Sequence, residues 1–66
     1  MKITVNDEQR DMQDGATVGD LLRALGLEQK PCAVEVNRSL VRKGEHETHG
    51  LVEGDRVELV TLVGGG

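Results

Sequence analysis

The sequence predicts an α+β fold in which one α-helix packs on a sheet of four to five strands. Two kinds of periodicity predict it. Apolar residues alternate with polar ones in several short segments, the longest of which runs from Arg56 to Val63. A single segment between residues 17 and 27 has helical spacing instead. At 66 residues the chain is one small domain, and the predicted order is strand, strand, helix, strand, strand, strand.

The first two strands are predicted to form a hairpin. Residues 2–6 alternate as a half-buried strand does, with Ile3 and Val5 on one side. A turn at 6–8 leads to a return strand at 9–13, in which only Met12 is apolar. We therefore expect the second strand to lie at an edge of the sheet.

The helix has clear start and stop signals after a turn at Asp14-Gly15. Thr17 is well placed as an N-cap, and Asp20 completes a box-like pair with it. One apolar stripe covers the core, made by Val18, Leu21, Leu22 and Leu25. Gly26 suits the left-handed residue that closes a helix, and Leu27 can then pack back on Leu22 in a Schellman motif.

Three strands are expected after the helix. The third strand, Ala33–Asn37, has Val34 and Val36 inward and Glu35 outward. A turn leads to a brief strand that carries Leu40 and Val41. Residues 42–50 are polar and irregular, and we expect Leu51 and Val52 to tuck beneath them.

The final strand, after a turn at 53–55, is expected to occupy the centre of the sheet. Its two sides differ: Val57, Leu59, Thr61 and Val63 face one way, and Glu58, Val60 and Leu62 face the other. One apolar and one mixed face are typical of a strand covered on one side only. We predict that Val60 and Leu62 dock a partner, and that Glu35 and Glu58 steer a basic one. Incidental exposure is the alternative, since single apolar residues are often exposed.

The last three residues of the sequence are Gly64, Gly65 and Gly66, which have no Cβ and nothing to bury. We expect a domain at 1–63 and a flexible tail at 64–66 that fits another protein's cleft. A frayed terminus is the alternative. A carboxylate is a poor electrophile, so acyl chemistry at this end would first require an adenylate or thioester made by an ATP-using partner.

The amino-acid composition limits the classes of function and the cellular locations that we expect. The chain has no Phe, Tyr or Trp and a net charge of −4, which disfavours nucleic acid as a partner. The single cysteine cannot form an internal disulfide, and the first residues lack the apolar run of a signal peptide. No segment approaches the roughly 20 apolar residues of a membrane span. We expect a soluble, cytoplasmic protein.

Several motifs together resemble the ubiquitin-like β-grasp fold and the ThiS family, the bacterial sulfur carriers of thiamin biosynthesis. They are Asn6 in the first turn, T-V-G-D-L-L at 17–22, A-V-E-V-N at 33–37, and G-D-R-V-E-L-V at 54–60 before V-G-G-G. The resemblance implies a mixed sheet with the final strand between the first and third. Arg42 departs from it, because a proline is expected after Val41.

The resemblance also implies a chemistry. Gly66 would be adenylated and converted to a thiocarboxylate whose sulfur enters the thiazole ring of thiamin, while the partner reads Gly64 and Gly65. The implied partners are an adenylating enzyme similar to ubiquitin-activating enzymes, a sulfur-transfer enzyme and thiazole synthase. The chain would be a substrate and carrier, monomeric alone, without catalysis or a bound cofactor, and the partner would use the ATP.

Three other functions remain open from the sequence alone. They are a sulfur carrier for the molybdenum cofactor, a ubiquitin-like modifier joined to lysines through Gly66, and a β-grasp interaction module with an inert tail.

Three further groups have chemical potential, but a structural role is favoured for each. Cys32 beside Pro31 is expected to be a packed apolar group. His46 and His49 have H-x-x-H spacing, but a solvated loop lacks the fixed geometry of a metal site. The basic residues Arg38, Arg42 and Lys43 are interpreted as edge charges that aid solubility.

Overall fold

The structure, a computed structural model, describes residues 1–62. One five-stranded mixed sheet has the order β2-β1-β5-β3-β4. Its strands are β1 (Lys2–Val5), β2 (Glu8–Asp11), β3 (Cys32–Val36), β4 (Ser39–Val41) and β5 (Arg56–Thr61). The helix α1 (Val18–Ala24) covers one face, and a 3₁₀ turn spans Lys43–Glu45. The predicted element order and the mixed sheet on one helix are confirmed.

Strand β5 lies at the centre, as predicted. It runs parallel to β1, with Val5 opposite Val57, and antiparallel to β3, with Val34 opposite Leu59. Strand β2 lies at one edge, as its polar sequence predicted, and β4 lies at the other. The last residues of the chain therefore follow a strand that is hydrogen-bonded to a neighbour on each side.

The core lies between α1 and one face of the sheet. Its buried members are aliphatic: Ile3, Val18, Leu21, Leu22, Val34, Val36, Val41, Leu51, Val57 and Leu59. Val57 and Leu59 of β5 thus face inward as predicted, whereas Thr61 is exposed and Val63 lies outside the residues that the structure describes. Within residues 1–62, no helix is long and apolar enough to cross a membrane.

Both ends of α1 have the predicted caps. Thr17 Oγ1 accepts from Asp20 N at 3.1 Å, and Asp20 Oδ2 accepts from Thr17 N at 2.9 Å, which completes the capping box. At the other end Gly26 has φ +72°, and Leu27 N donates to Leu22 O at 2.8 Å. Gly26 N also donates to Arg23 O at 3.0 Å, and these two hydrogen bonds define a Schellman motif.

The loop at 42–50 is mostly exposed, as the sequence predicts, but His46 and the loop backbone pack on the helix. His46 is buried, and its carbonyl accepts from Gly19 N at 2.7 Å, while His49 O accepts from Val18 N at 3.0 Å. The first N–H groups of a helix lack acceptors within it, so this loop supplies them. Loop and helix therefore form one packed unit.

The prediction for Leu51 and Val52 is half right. Leu51 is buried and donates its N–H to Ala16 O, but Val52 is 62% exposed. Val52 begins the turn into β5, where its N–H donates to the Asp55 carboxylate at 2.9 Å. That turn directs its side chain to solvent.

Element ends also differ slightly from those predicted. Strand β2 covers 8–11 rather than 9–13, and β5 ends at Thr61. Met12 continues the hairpin through backbone bonds to Met1, although it lies outside the strand proper.

Candidate docking face and carboxyl-terminal tail

Two large exposed apolar residues lie near the end of β5, and Val60 is the one on the open face of the sheet, away from α1. Val60 is 58% exposed and Leu62 is 53% exposed, so their predicted exposure is confirmed. Leu40 on β4 is 63% exposed and was not among the predicted site residues. Its alternation with buried Val41 was the signal that could have found it. We call Leu40, Val60, Glu35 and Glu58 the docking face. The predicted docking residue Leu62, which follows the last residue of β5, lines a groove with Leu22 and His46 on the helix side instead.

The two acidic residues of this face are cross-strand neighbours. Glu35 on β3 lies directly opposite Glu58 on β5, and both side chains are exposed. Like charges directly opposite each other on neighbouring strands are destabilising. A basic group from a partner would relieve that repulsion, so the pair favours a cationic contact at the middle of the sheet.

Asn6 holds β5 on its β1 side beyond the last paired residue of β1. Its Oδ1 accepts from Leu59 N at 2.8 Å, and its Nδ2 donates to Leu59 O at 3.1 Å. The side-chain amide thus takes the place of a peptide group, while the left-handed backbone of Asn6 (φ +48°) turns away into the hairpin. Asn6 was not among the predicted site residues.

A second asparagine holds the start of β5. Asn37 Oδ1 accepts from Arg56 N at 3.0 Å, and its Nδ2 donates to the buried carboxylate of Asp55 at 2.9 Å. Asn37 also has a left-handed backbone, with φ +51°. The two asparagines therefore fix β5 from opposite sides, one at its first residue and one at its fourth.

The last contact of the strand lies at its exit. Leu62 N donates to Pro31 O at 2.9 Å, just beyond the pair of Cys32 and Thr61. The predicted tail residues Gly64, Gly65 and Gly66 lie outside the residues that the structure describes. In the sequence, β5 ends three residues before Gly64.

Cys32 and His46 are held by contacts within the fold. Cys32 is half-buried and packs against the core, as expected. The Nε2–H of buried His46 donates to Val41 O at 3.1 Å, so this ring is satisfied within the fold. Within residues 1–62, no group of three or more His, Cys, Asp or Glu side chains could hold a metal ion.

An exposed network ties the loop to the helix. Arg23 donates to Glu47 Oε2 and to Asp20 Oδ1, each at 2.8 Å. These hydrogen bonds from Arg23 hold the pKa of both carboxyls below their ordinary values. The same bonds, that to Glu47 first, raise the pKa of Arg23. Gly19 leaves room for the Glu47 carboxylate, which a Cβ there would meet.

Comparisons with known proteins agree with the geometry. The model of the ThiS family matches residues 3–66. The chain is 30% identical to the sulfur carrier protein ThiS of Escherichia coli over 66 residues, all of both chains. It superposes on the thiamine biosynthesis protein (ThiS) of Geobacter metallireducens with a TM-score of 0.83 and 29% identity, covering all of both chains.

A second kind of relative is longer. The thiazole synthase of Paramagnetospirillum magneticum is 36% identical over 66 residues, and that of Magnetococcus marinus is 38% identical. The chain matches them along its whole length but spans only 20% of theirs.

Proposed function

Because the chain belongs to the ThiS family, we propose that it is a sulfur carrier of thiamin biosynthesis whose Gly66 carboxylate is the reactive group. The observation that carries the proposal is the position of β5. This strand is central, held on both sides by asparagine side chains, and followed within a few residues by the glycine run. A partner can therefore hold the domain while the end of the chain enters its active site.

The proposed chemistry has two steps in the adenylating partner. A carboxylate oxygen of Gly66 bonds to the α-phosphorus of the partner's ATP, and the bond from that phosphorus to pyrophosphate breaks. Sulfide (HS⁻) supplied by a sulfur-transfer enzyme then attacks the carbonyl carbon of Gly66, AMP leaves with the electron pair of the broken C–O bond, and the sulfur loses its proton. The product is a thiocarboxylate. This chain supplies the end group and the recognition surface, and the partner supplies ATP and the catalytic groups.

The recipient of the sulfur is proposed to be a thiazole synthase. The supporting observation is that two proteins of that name contain a segment similar to the whole of this chain. A carrier and the enzyme that consumes its sulfur must meet at close range, so a carrier-like segment in a synthase is consistent with direct contact.

Intact mass spectrometry of the protein from its native host tests the proposal. We expect a fraction whose C-terminal residue is Gly66 and in which one sulfur replaces one oxygen, under thiamin-free growth with ample sulfur. An isopeptide adduct on lysine would indicate a protein modifier instead. An unmodified tail, or a mature chain that does not end at Gly66, would refute the carrier chemistry.

Docking is tested separately from chemistry. Val60→Arg should weaken binding to the purified adenylating enzyme with little effect on folding, because Val60 is already largely in water. Val52→Arg is the matched control, since Val52 is equally exposed but lies in the turn before β5. Equal effects of the two substitutions would exclude the docking face as the binding site.

A further inference from the structure

Arg42 belongs to the open face of the sheet, although it lies one residue beyond β4. Its backbone is still extended, with φ −68° and ψ 152°. Side chains alternate along an extended chain, and Leu40 is exposed while Val41 is buried. Arg42 therefore falls on the same side as Leu40. The same φ lies within the range of proline, so the arginine at this position leaves the expected backbone unchanged.

The register places Arg42 in line with Val60. Val41 lies opposite Val34, so the next position pairs Arg42 with Ala33, whose partner on β5 is Val60. Two strand spacings separate Arg42 from Val60, about 10 Å. A protein interface of ordinary size covers about 800 Å² per partner, equivalent to a disc of about 16 Å radius. A partner whose interface is centred on Val60 therefore also covers Arg42.

The charge of Arg42 is not compensated within the described part of the chain. Each ion pair within residues 1–62 uses another cation. Covering an unpaired guanidinium is costly, whereas its forked donors match a carboxylate. Only a partner with an acidic side chain at this point gains from the contact.

We propose that Arg42 is a specificity-determining residue of the docking face and pairs with a carboxylate of the adenylating partner. This inference rests on the proposed function. With Arg42, the charge of the docking face changes across the sheet, from basic beside β4 to acidic at Glu35 and Glu58 on β3 and β5. A carrier with the opposite order of charges would be rejected by the same partner.

Lys43 provides a matched control. It is the next residue and has the same charge, but it lines a groove on the helix side with Leu22 and His46. Arg42→Glu and Lys43→Glu therefore change the net charge equally and differ only in the face affected. Both residues are exposed, so both variants should fold.

The experiment measures association rates and affinities with the purified adenylating enzyme at low and high salt. We expect Arg42→Glu to slow association at low salt by about tenfold, the lower end of electrostatic steering, and Lys43→Glu by about twofold or less. Arg42→Gln should be intermediate, and the differences should shrink at high salt.

Each contrary outcome has a distinct meaning. Equal effects of Arg42→Glu and Lys43→Glu, or tighter binding by Arg42→Glu, would refute the role of Arg42. If Val60→Arg still weakens binding in that case, the docking face stands without Arg42. If Val60→Arg has no effect either, the docking part of the proposed function fails as well.

Discussion

Replacing Leu59 by alanine should destabilise the domain strongly, because Leu59 is the last buried residue of the central strand. It is 9% exposed and lies opposite fully buried Val34. Leu59→Ala removes three carbons, worth about 2.4 kcal/mol at about 0.8 kcal/mol per methylene. A cavity term adds to this value. Leu59 also lines an open groove of about 390 Å³ beside Leu25 and Leu27, which lets the site relax. We therefore expect a loss of about 3 kcal/mol, in the lower half of the range for such changes.

This loss is large for a domain of 66 residues, whose total stability should be about 3 to 10 kcal/mol at 0.05 to 0.15 kcal/mol per residue. Urea unfolding followed by far-UV circular dichroism measures it, since the chain has no Trp or Tyr for fluorescence. Val60→Ala is the control and should change stability by less than about 0.5 kcal/mol. If Val60→Ala were as destabilising as Leu59→Ala, the assignment of the two faces of β5 would be wrong.

Three further outcomes are expected. Cys32→Ser should leave thiocarboxylate formation intact in intact-mass assays, because the proposed sulfur acceptor is Gly66; loss of the product in a folded variant would contradict this. Deleting Gly66 should abolish pyrophosphate exchange by the adenylating enzyme, because the end group is displaced by about 3.5 Å, and normal exchange would mean that the last residue is not recognised. Arg23→Gln should lower stability slightly at neutral pH, since Asp20 and Glu47 are exposed. The folded-state pKa values of both carboxyls lie below the ordinary 3.8 and 4.5. The stability difference should therefore be fully present above those ordinary values and be lost as the pH falls through the lowered pKa values. An unchanged difference in acid unfolding curves would exclude the network.

Local chemistry explains why the helix and the central strand could be predicted. The caps at Thr17 and Gly26 depend on residues within one turn, and the two faces of β5 follow from strict alternation. Such signals do not depend on the rest of the fold. The predicted exposure of Val60 followed from the same alternation.

Features that depend on distant residues could not be predicted in this way. The burial of His46 results from contacts with Gly19, which lies 27 residues earlier. The bonds of Asn6 to Leu59 join residues 53 apart and require that β5 lie beside β1. The place of Arg42 on the docking face depends likewise on the register of three strands. The roles of Gly64 to Gly66 remain predictions from sequence alone.

The position of β5 also has a mechanical consequence. A force that pulls the chain end along β5 acts parallel to the neighbouring strands β1 and β3. The backbone hydrogen bonds that join β5 to these two strands are then loaded in shear, and they resist the force together. If a hairpin strand were instead pulled away from its partner, perpendicular to the strands, its hydrogen bonds would break one at a time. The bonds from Asn6 to Leu59 and from Leu62 to Pro31 carry the first part of that load. Pulling on the chain end is therefore resisted by several hydrogen bonds at once.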